Sequence, residues 1–270
     1  MHRKLPMILT ALLLLGSILQ AQKPVRIVSL AQSLTKNLYY LEAGSQMAGC
    51  TSYCNEALAD GVEVVATAID VNIEKTLSLE PDLILATIIT PPETIELLQK
   101  MGMKVEVFPT PVSFNEICEQ FIHLGKLVGN EALAREIVDE TSKKVSELSQ
   151  KPGNSNTKMF FQIGAQPIFT VVDNTFMSDY FKLTGTSNIA SNLKHGTMTR
   201  ESVLLSNPDV IFITSMGLVA DEEKNTWMQF SQMNAVVHQK IFVIDAEKAC
   251  TPTPVTFVET LEEMVKLMQQ

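Results

Sequence analysis

The feature of this sequence that most constrains its fold is an internal repeat. Residues 71–86 (VNIEKTLSLEPDLILA) align without a gap with residues 198–213 (MTRESVLLSNPDVIFI). Each copy starts with a residue suited to capping a helix, Asn72 or Thr199, and ends in an apolar run that follows a Pro-Asp pair. Cap, short helix, turn and apolar run are typical of one α/β unit with a buried strand.

Units of this kind are common in α/β proteins, so chance similarity is one explanation of the repeat. The other is duplication of a half-chain, and the spacing favours it. Glu74 precedes Pro81 by the same seven residues that separate Glu201 from Pro208. We therefore predict two similar α/β lobes with a ligand crevice between them.

Strand and helix signals alternate through the rest of the chain. Residues 25–30 (VRIVSL) form a β-branched run, and Ser33 or Thr35 could open a helix that continues through Tyr40. A further helix is expected over 93–101 and a strand over 105–108. This alternation predicts Rossmann-like α/β lobes, each with a parallel or mixed sheet covered by helices.

One helical pattern is long enough to connect the two lobes. It starts at Asn130 and continues to Pro152, and about 20 residues at 1.5 Å rise give a rod of roughly 30 Å. The expected organisation is an N-terminal lobe over 22–127, a linking helix over 128–152 and a C-terminal lobe over 153–270. Because the link is a continuous rod, we expect closure of the lobes to be small.

The first 21 residues have the pattern of a secretory signal peptide. Basic residues at positions 3 and 4 precede an apolar run from Ile8 to Leu15, and small residues follow up to a cleavage site near Ala21. The run is too short to span a bilayer. We expect a free periplasmic protein, and no cysteine stands near the cleavage site to support a lipid anchor.

Net charge limits the partners of the exported chain. Without residues 1–21 it has 19 basic and 30 acidic residues, a formal charge of −11. A surface of this sign disfavours nucleic acid and anionic membranes. We expect a monomer that binds a small molecule.

Seven segments of the mature chain resemble one family. They are RIVSL (26–30), AGCTSYCN (48–55), NIEKTLSLEPDLILA (72–86), the helix 130–151, FFQIGAQPIFT (160–170), TRESVLLSNPDVIFIT (199–214) and TPTPVTFVETLEEM (251–264). The chain resembles the periplasmic substrate-binding proteins of ABC importers that have a rigid helix between their lobes, and most of all the cobalamin-binding members. This resemblance implies a transported metal chelate, either a corrinoid, a ferric siderophore or haem, and no catalytic cofactor.

The resemblance also implies a partner, the inner-membrane permease of the importer. Family members dock through one surface Glu on each lobe, and those positions match Glu74 and Glu201. Two separated carboxylates could orient the encounter with a basic permease surface. The alternative is that both acids only stabilise the first turns of their helices.

Cleft residues are implied by the same resemblance. Tyr53 and Phe169 match aromatic cleft positions, although either could instead be a packing residue. Cobalamin-binding members have a Trp six residues before each docking Glu, and here Ala68 and His195 hold those positions. His195 could ligate a metal or donate a hydrogen bond to a chelate, or be a solvated loop residue.

Two of the four cysteines fall in segments that the resemblance brings to the cleft. Cys54 follows Tyr53, and Cys250 lies in ACTPTP. They could form a disulfide, supply soft metal ligands or be unlinked core residues. Cys118 lies in a segment with helical periodicity and is predicted to be a core residue. Trp227 follows a charged stretch and is predicted in a surface segment that leads into a helix.

Catalytic motifs are missing from the sequence. It has no G-x-S-x-G, H-E-x-x-H or G-x-x-x-x-G-K-[ST] pattern. We therefore expect a binding protein and not an enzyme. The alternatives are an exported structural or adhesive protein and a two-lobed enzyme of another kind.

Overall fold

The computed structural model describes residues 25–67, 70–149, 156–215 and 219–270. The signal segment and the candidate ligand residue Ala68 lie outside these ranges. Within them the chain forms two α/β lobes, as the repeat predicted.

The N-terminal lobe contains five strands and four α-helices among the described residues, besides a short 3-10 helix at Gly44–Gln46. They are β1 (Ile27–Ser29), α1 (Gln32–Tyr40), β2 (Met47–Thr51), α2 (Asn55–Ala59), β3 (Glu63–Ala66), α3 (Ile73–Ser78), β4 (Leu83–Thr87), α4 (Pro92–Lys100) and β5 (Val105–Phe108). The strands pair in parallel in the order β3-β2-β1-β4-β5. Leu83 and Leu85 pack on one face of this sheet and Ile84 on the other. Helices therefore cover both faces, as parallel sheets require.

Two long helices, α5 (Phe114–Val128) and α6 (Glu131–Ser149), follow β5 and pack against each other. Gly129 joins them in a left-handed conformation, with φ of 84°, which glycine adopts without strain. In α6, Val138 packs in the core of the first lobe and Val145 in the core of the second. The sequence predicted one rod between the lobes, and α6 is that helix.

Helix α5 is a second connection that the sequence did not indicate. Its Ile117 belongs to the C-terminal core, and Phe121 to the N-terminal core. The backbone N–H of Phe114 donates to the carboxylate of Asp179 in the C-terminal lobe, with an N···O distance of 2.8 Å. Two helices thus hold the lobes against each other.

The C-terminal lobe begins with β6 (Lys158–Ala165). The elements that follow are β7 (Ile168–Thr170), α7 (Ser178–Thr184), β8 (Ser187–Asn188), β9 (Thr197–Met198), α8 (Arg200–Ser206), β10 (Val210–Ser215), α9 (Val219–Met228), α10 (Asn234–Val237), β11 (Ile241–Asp245), α11 (Ala246–Ala249) and α12 (Pro254–Met268). The sheet order is β11-β10-β6-β7-β9, with β8 beside β6. Strands β6, β10 and β11 are parallel, whereas β7 is antiparallel to both of its neighbours.

The two copies of the repeat occupy equivalent places. In each lobe the strand after the Pro-Asp turn lies between the first and the last parallel strand, as β4 between β1 and β5 and as β10 between β6 and β11. The turns also make matching hydrogen bonds. The carboxylate of Asp82 accepts from the backbone N–H of Arg26, and that of Asp209 from Lys158, both at 2.8 Å.

Helix capping in the two copies is equally matched. The side chain of Asn72 caps α3, and that of Thr199 caps α8. Glu80 and Asn207, each just before the proline, both have positive φ, at 46° and 45°. Correspondence at the level of single hydrogen bonds and torsions supports duplication over chance similarity.

Candidate functional site

A cavity of about 440 Å³ lies between the two lobes. On the N-terminal side it is lined by the residues that follow or end the parallel strands, including Leu30 after β1, Thr51 of β2, Thr87 of β4 and Phe108 of β5. Parallel sheets bind ligands at this carboxyl edge. The C-terminal lobe closes the cavity with Phe176 and the segment 250–252.

The lining of this cavity is uncharged. Among the described residues around it, the polar side chains are hydroxyls and amides, and none is Asp, Glu, Lys, Arg or His. The remainder are the Cys250 thiol and aliphatic, aromatic or proline side chains. Such a surface can hydrogen-bond a ligand but offers no charged side chain to pair with a buried ionic group, whose desolvation is costly.

Tyr53 and Cys250 are the two sequence-predicted residues that the structure brings together in the cavity. Tyr53 lies between β2 and α2, and 56% of its surface is exposed, so its ring is available for stacking. Cys250 is exposed on the opposite lobe. Desolvation by its surroundings raises the pKa of the Cys250 thiol to about 11, so this thiol is protonated at neutral pH.

Phe169 and His195 lie elsewhere, in and next to the antiparallel pair β7–β9. Phe169 is 43% exposed and is paired in register with Thr197. His195 is exposed two residues before that strand. Neither residue belongs to the cavity lining.

Cys54 is fully buried behind the cavity wall. Its sulfur lies 3.1 Å from the Thr35 hydroxyl and 3.2 Å from that of Thr51. All four cysteines are free thiols in this structure. The structure therefore does not support the disulfide alternative, and Cys54 is a core residue with no exposed surface, packed with Cys50 and Ala57.

A hydrogen bond between the lobes crosses the rim of the cleft. The side-chain amide of Asn55, the first residue of α2, donates to Glu247 of α11 with an N···O distance of 2.6 Å. Tyr53 precedes Asn55 by two residues, and Cys250 follows Glu247 by three. The contact therefore joins the two segments that carry cavity residues from opposite lobes.

Glu74 and Glu201 are exposed in the first turns of α3 and α8. A hydrogen bond from its own backbone N–H, and then one from the Thr199 hydroxyl, lower the pKa of the Glu201 carboxyl below its ordinary value. This carboxylate is ionised at neutral pH. The two acids occupy equivalent positions of the repeat, one on each lobe.

Sequence reasoning missed a buried polar cluster at the carboxyl edge of the C-terminal sheet. Trp227 is completely buried in α9, so its predicted surface position was wrong. Its indole N–H donates to Gln162 at 2.8 Å, and the guanidinium of Arg200 lies 4.3 Å from its ring centroid. Arg200 and Gln162 both donate to the carboxylate of Glu223.

The signal for this cluster was weak, because its members lie far apart in the sequence. The indole must bury its large apolar surface while its N–H keeps a partner, and the end of β6 supplies that partner. The charged stretch that suggested a surface segment belongs to the same helix. Its Glu223 turns inward to pair with Arg200, and the other acids remain at the surface.

Two further features of the described residues bear on the kind of site. In the described part of the chain, no three histidine, cysteine or carboxylate side chains are grouped so that they could hold a metal ion. None of the helices described is long and apolar enough to cross a membrane.

A cleft lined by uncharged groups between two duplicated α/β lobes defines a two-lobed ligand-binding protein. The sequence profile of the family described as "Periplasmic binding protein" matches residues 27–248. The chain therefore belongs to the periplasmic binding protein family, which confirms the predicted resemblance.

Individual relatives agree with this membership. The chain is 28% identical to an uncharacterized ABC transporter substrate-binding lipoprotein of Bacillus subtilis, YvrC, over 91% of this chain and 80% of the relative. The crystal structure of the periplasmic vitamin B12 binding protein BtuF of Vibrio cholerae is similar with a TM-score of 0.77 and 25% identity, covering 90% and 96% of the two chains.

The periplasmic heme binding protein HutB of Vibrio cholerae shares the fold, with a TM-score of 0.82 at 18% identity, covering 92% of this chain and 100% of HutB. All three relatives are similar over nearly the whole described chain. The family is one of binding proteins, which confirms the expectation that the chain is not an enzyme.

Proposed function

We propose that this protein captures an uncharged metal chelate of the corrinoid class in the cleft and delivers it to the permease of an ABC importer. The observation that carries the proposal is the uncharged lining of the cavity at the carboxyl edge of the N-terminal sheet. Relatives over most of the chain bind vitamin B12 or serve ABC transporters, which supports the same class.

The uncharged lining favours a corrinoid over the anionic chelates among the classes that the resemblance implied. Haem carries two carboxylates, and ferric catecholate siderophores carry net negative charge. Burial of such groups is most favourable beside cationic side chains, which the cavity lining lacks among its described residues. A corrinoid presents mainly amides and apolar ring edges, which the hydroxyls, amides and aromatic rings of this cavity can bind.

Tyr53 is the principal aromatic contact in this proposal. A corrinoid is larger than the cavity, so part of it would extend toward the C-terminal lobe. Phe169 and His195 are proposed to contact that part, together with the segment around Ala68. Direct coordination of the metal by His195 is not required in this proposal, because a cobalamin would bring its own metal ligands.

Docking is proposed to use Glu74 and Glu201. Both carboxylates are exposed, and they are related by the internal repeat. Their separation on two lobes suits a permease with two similar halves, each presenting basic residues. Charges of this kind act mainly on the association rate and on the register of the complex.

We also propose that residues 1–21 are removed on export and that the mature protein acts as a monomer in the periplasm. The basic start and short apolar run of this segment support the first part. Mass spectrometry of protein from a periplasmic extract would test it, and a mature N-terminus far from position 22 would contradict it.

The ligand class is tested by titrating the purified mature protein with cyanocobalamin, haemin and a ferric catecholate, followed by absorbance and calorimetry. We expect cyanocobalamin to bind at submicromolar concentration and the two anionic chelates to bind at least tenfold more weakly. Tighter binding of haemin or the catecholate would overturn the corrinoid class.

Docking is tested with the importer reconstituted in proteoliposomes. The double variant Glu74→Gln plus Glu201→Gln should reduce stimulation of ATP hydrolysis while ligand affinity stays unchanged. Glu42→Gln plus Glu80→Gln is the control, because it removes the same charge from the same protein at other positions. Equal loss of stimulation in both variants would show a net charge effect and contradict the assigned docking residues.

A further inference from the structure

We propose that the first turn of α1 and the side chain of Asn37 together form a subsite for a carboxamide group of the ligand. The inference rests on the proposed function and specifies where in the cavity an amide of the ligand is bound.

Helix α1 begins at the cavity without a side-chain cap. Its N-cap residue, Ala31, has an extended backbone (φ −147°, ψ 135°) and no side chain that can accept a hydrogen bond, and no acidic residue stands in the first turn. The sequence predicted that Ser33 or Thr35 would open this helix. The structure corrects that prediction, since the helix starts at Gln32 and neither hydroxyl caps it.

The uncapped end of α1 adjoins the ligand space. Ala31, Gln32 and Ser33 all line the cavity. The first helical turn leaves backbone N–H groups without carbonyl partners, and these groups bind oxygen atoms well. By contrast, the outward-facing helices α3 and α8 satisfy such donors with their own side chains, Asn72 and Thr199.

Asn37 provides the second, independent observation. It lies four residues after Ser33, hence on the same face of α1, and it lines the same cavity. Asn37 is only 5% exposed, and its side-chain oxygen Oδ1 is buried without a hydrogen-bond partner. Buried acceptors of this kind are uncommon in folded proteins because leaving them unpaired is unfavourable.

A ligand amide satisfies both features at once. Its carbonyl oxygen accepts from the N–H groups of the first turn, and its NH₂ group donates to Asn37 Oδ1. The terminal torsion of Asn is soft, so the amide plane can turn toward an entering donor. A carboxylate would also accept from the helix, but it would leave Oδ1 facing a second acceptor.

The first test replaces Asn37 and measures both affinity for cyanocobalamin and thermal stability. Asn37→Leu removes the acceptor and keeps the number and branching of the side-chain heavy atoms, so we expect about tenfold weaker binding and an unchanged or higher melting temperature. Thr35→Val is the matched control, because Thr35 is buried on α1 but does not line the cavity. Full affinity of Asn37→Leu would overturn the proposal.

The second test isolates the backbone donor. Gln32→Pro and Gln32→Ala both remove the side chain, but only proline also removes the N–H group. Proline is well tolerated at the first helical position, and Ala31 already has the extended backbone that precedes proline. We expect Gln32→Pro to bind cyanocobalamin several-fold more weakly than Gln32→Ala. Equal affinities would exclude the helix donors.

The third test varies the ligand. Derivatives of cyanocobalamin with one side-chain amide hydrolysed to a carboxylate should include one that binds the wild type at least tenfold more weakly but loses little further affinity in Asn37→Leu. Undiminished binding of every derivative would indicate no amide subsite. If the wild type binds no corrinoid, the proposed function fails; if it binds but Asn37→Leu binds equally, only the subsite fails.

Discussion

The two lobes are built from the same repeat, yet they use the carboxyl edge of their sheets differently. In the N-terminal lobe this edge is open, and residues after β1, β2, β4 and β5 line the cavity. In the C-terminal lobe the ends of β6 and β10 are covered by α9 and its buried cluster around Trp227. Both copies of the repeat thus have a sheet edge at which a ligand could bind. In the C-terminal lobe the packing of α9 covers that edge.

The largest expected effect comes from removing the indole that covers the C-terminal edge. Trp227→Ala should lower the free energy of unfolding by about 4 kcal/mol, because it leaves a large cavity and an unpaired Gln162. Urea denaturation would measure this, with Trp227→Phe as a milder control. A loss below about 1 kcal/mol would mean that α9 does not hold the edge closed.

The Pro-Asp turns test how equal the two copies are energetically. Asp209→Ala should cost about 2 kcal/mol and Asp82→Ala about 1 kcal/mol, since Asp209 also accepts a hydrogen bond from Asn234 at 2.8 Å. Thermal unfolding of the two single variants would show the difference. In a protein that already contains Asn234→Ala, the further change Asp209→Ala should cost little more than Asp82→Ala does. A cost that stays at about 2 kcal/mol in that background would refute this explanation.

Aromatic contacts should show a similar imbalance between the lobes. We expect Tyr53→Ala to weaken ligand binding about tenfold and Phe169→Ala about threefold, because only Tyr53 lines the cavity. Both rings are at least 40% exposed, so neither change should affect folding much. A larger loss from Phe169→Ala would move the centre of the ligand toward the β7–β9 pair.

Cys250 allows a measurement that leaves stability and affinity almost untouched. It is the exposed cysteine in this structure, so at alkaline pH iodoacetamide should label this thiol ahead of the three buried ones, and bound ligand should protect it. The thiolate is the reactive form, and desolvation raises the pKa to about 11. The rate should therefore keep rising about tenfold per pH unit past pH 9 and level off near pH 11.

The controls for this measurement are two serine variants. Cys250→Ser should abolish this labelling, and Cys118→Ser should leave it unchanged, because Cys118 is buried. A rate that already levels off near pH 9 would show that the thiol is not desolvated by the cleft.

Much of the fold could be predicted because short-range patterns determine it. The equal spacing from each glutamate to its proline predicted two equivalent helix-turn-strand units. The long helical pattern after Asn130 predicted the connecting helix. The site was less predictable. Tyr53 was found through resemblance, whereas the unpaired Oδ1 of Asn37 and the uncapped turn at Gln32 depend on which residues surround them after folding.

The sequence by itself determined the duplicated lobes, the helix between them and the family. Capping residues, hydrophobic periodicity and turn residues act over a few neighbouring positions, so they can be recognised in the sequence alone. Only the tertiary structure decided that Cys54 is core, that Trp227 covers one sheet edge and that the cavity lining is uncharged. Those properties depend on contacts between residues that are far apart in the sequence. A pattern of neighbouring residues carries no information about such contacts.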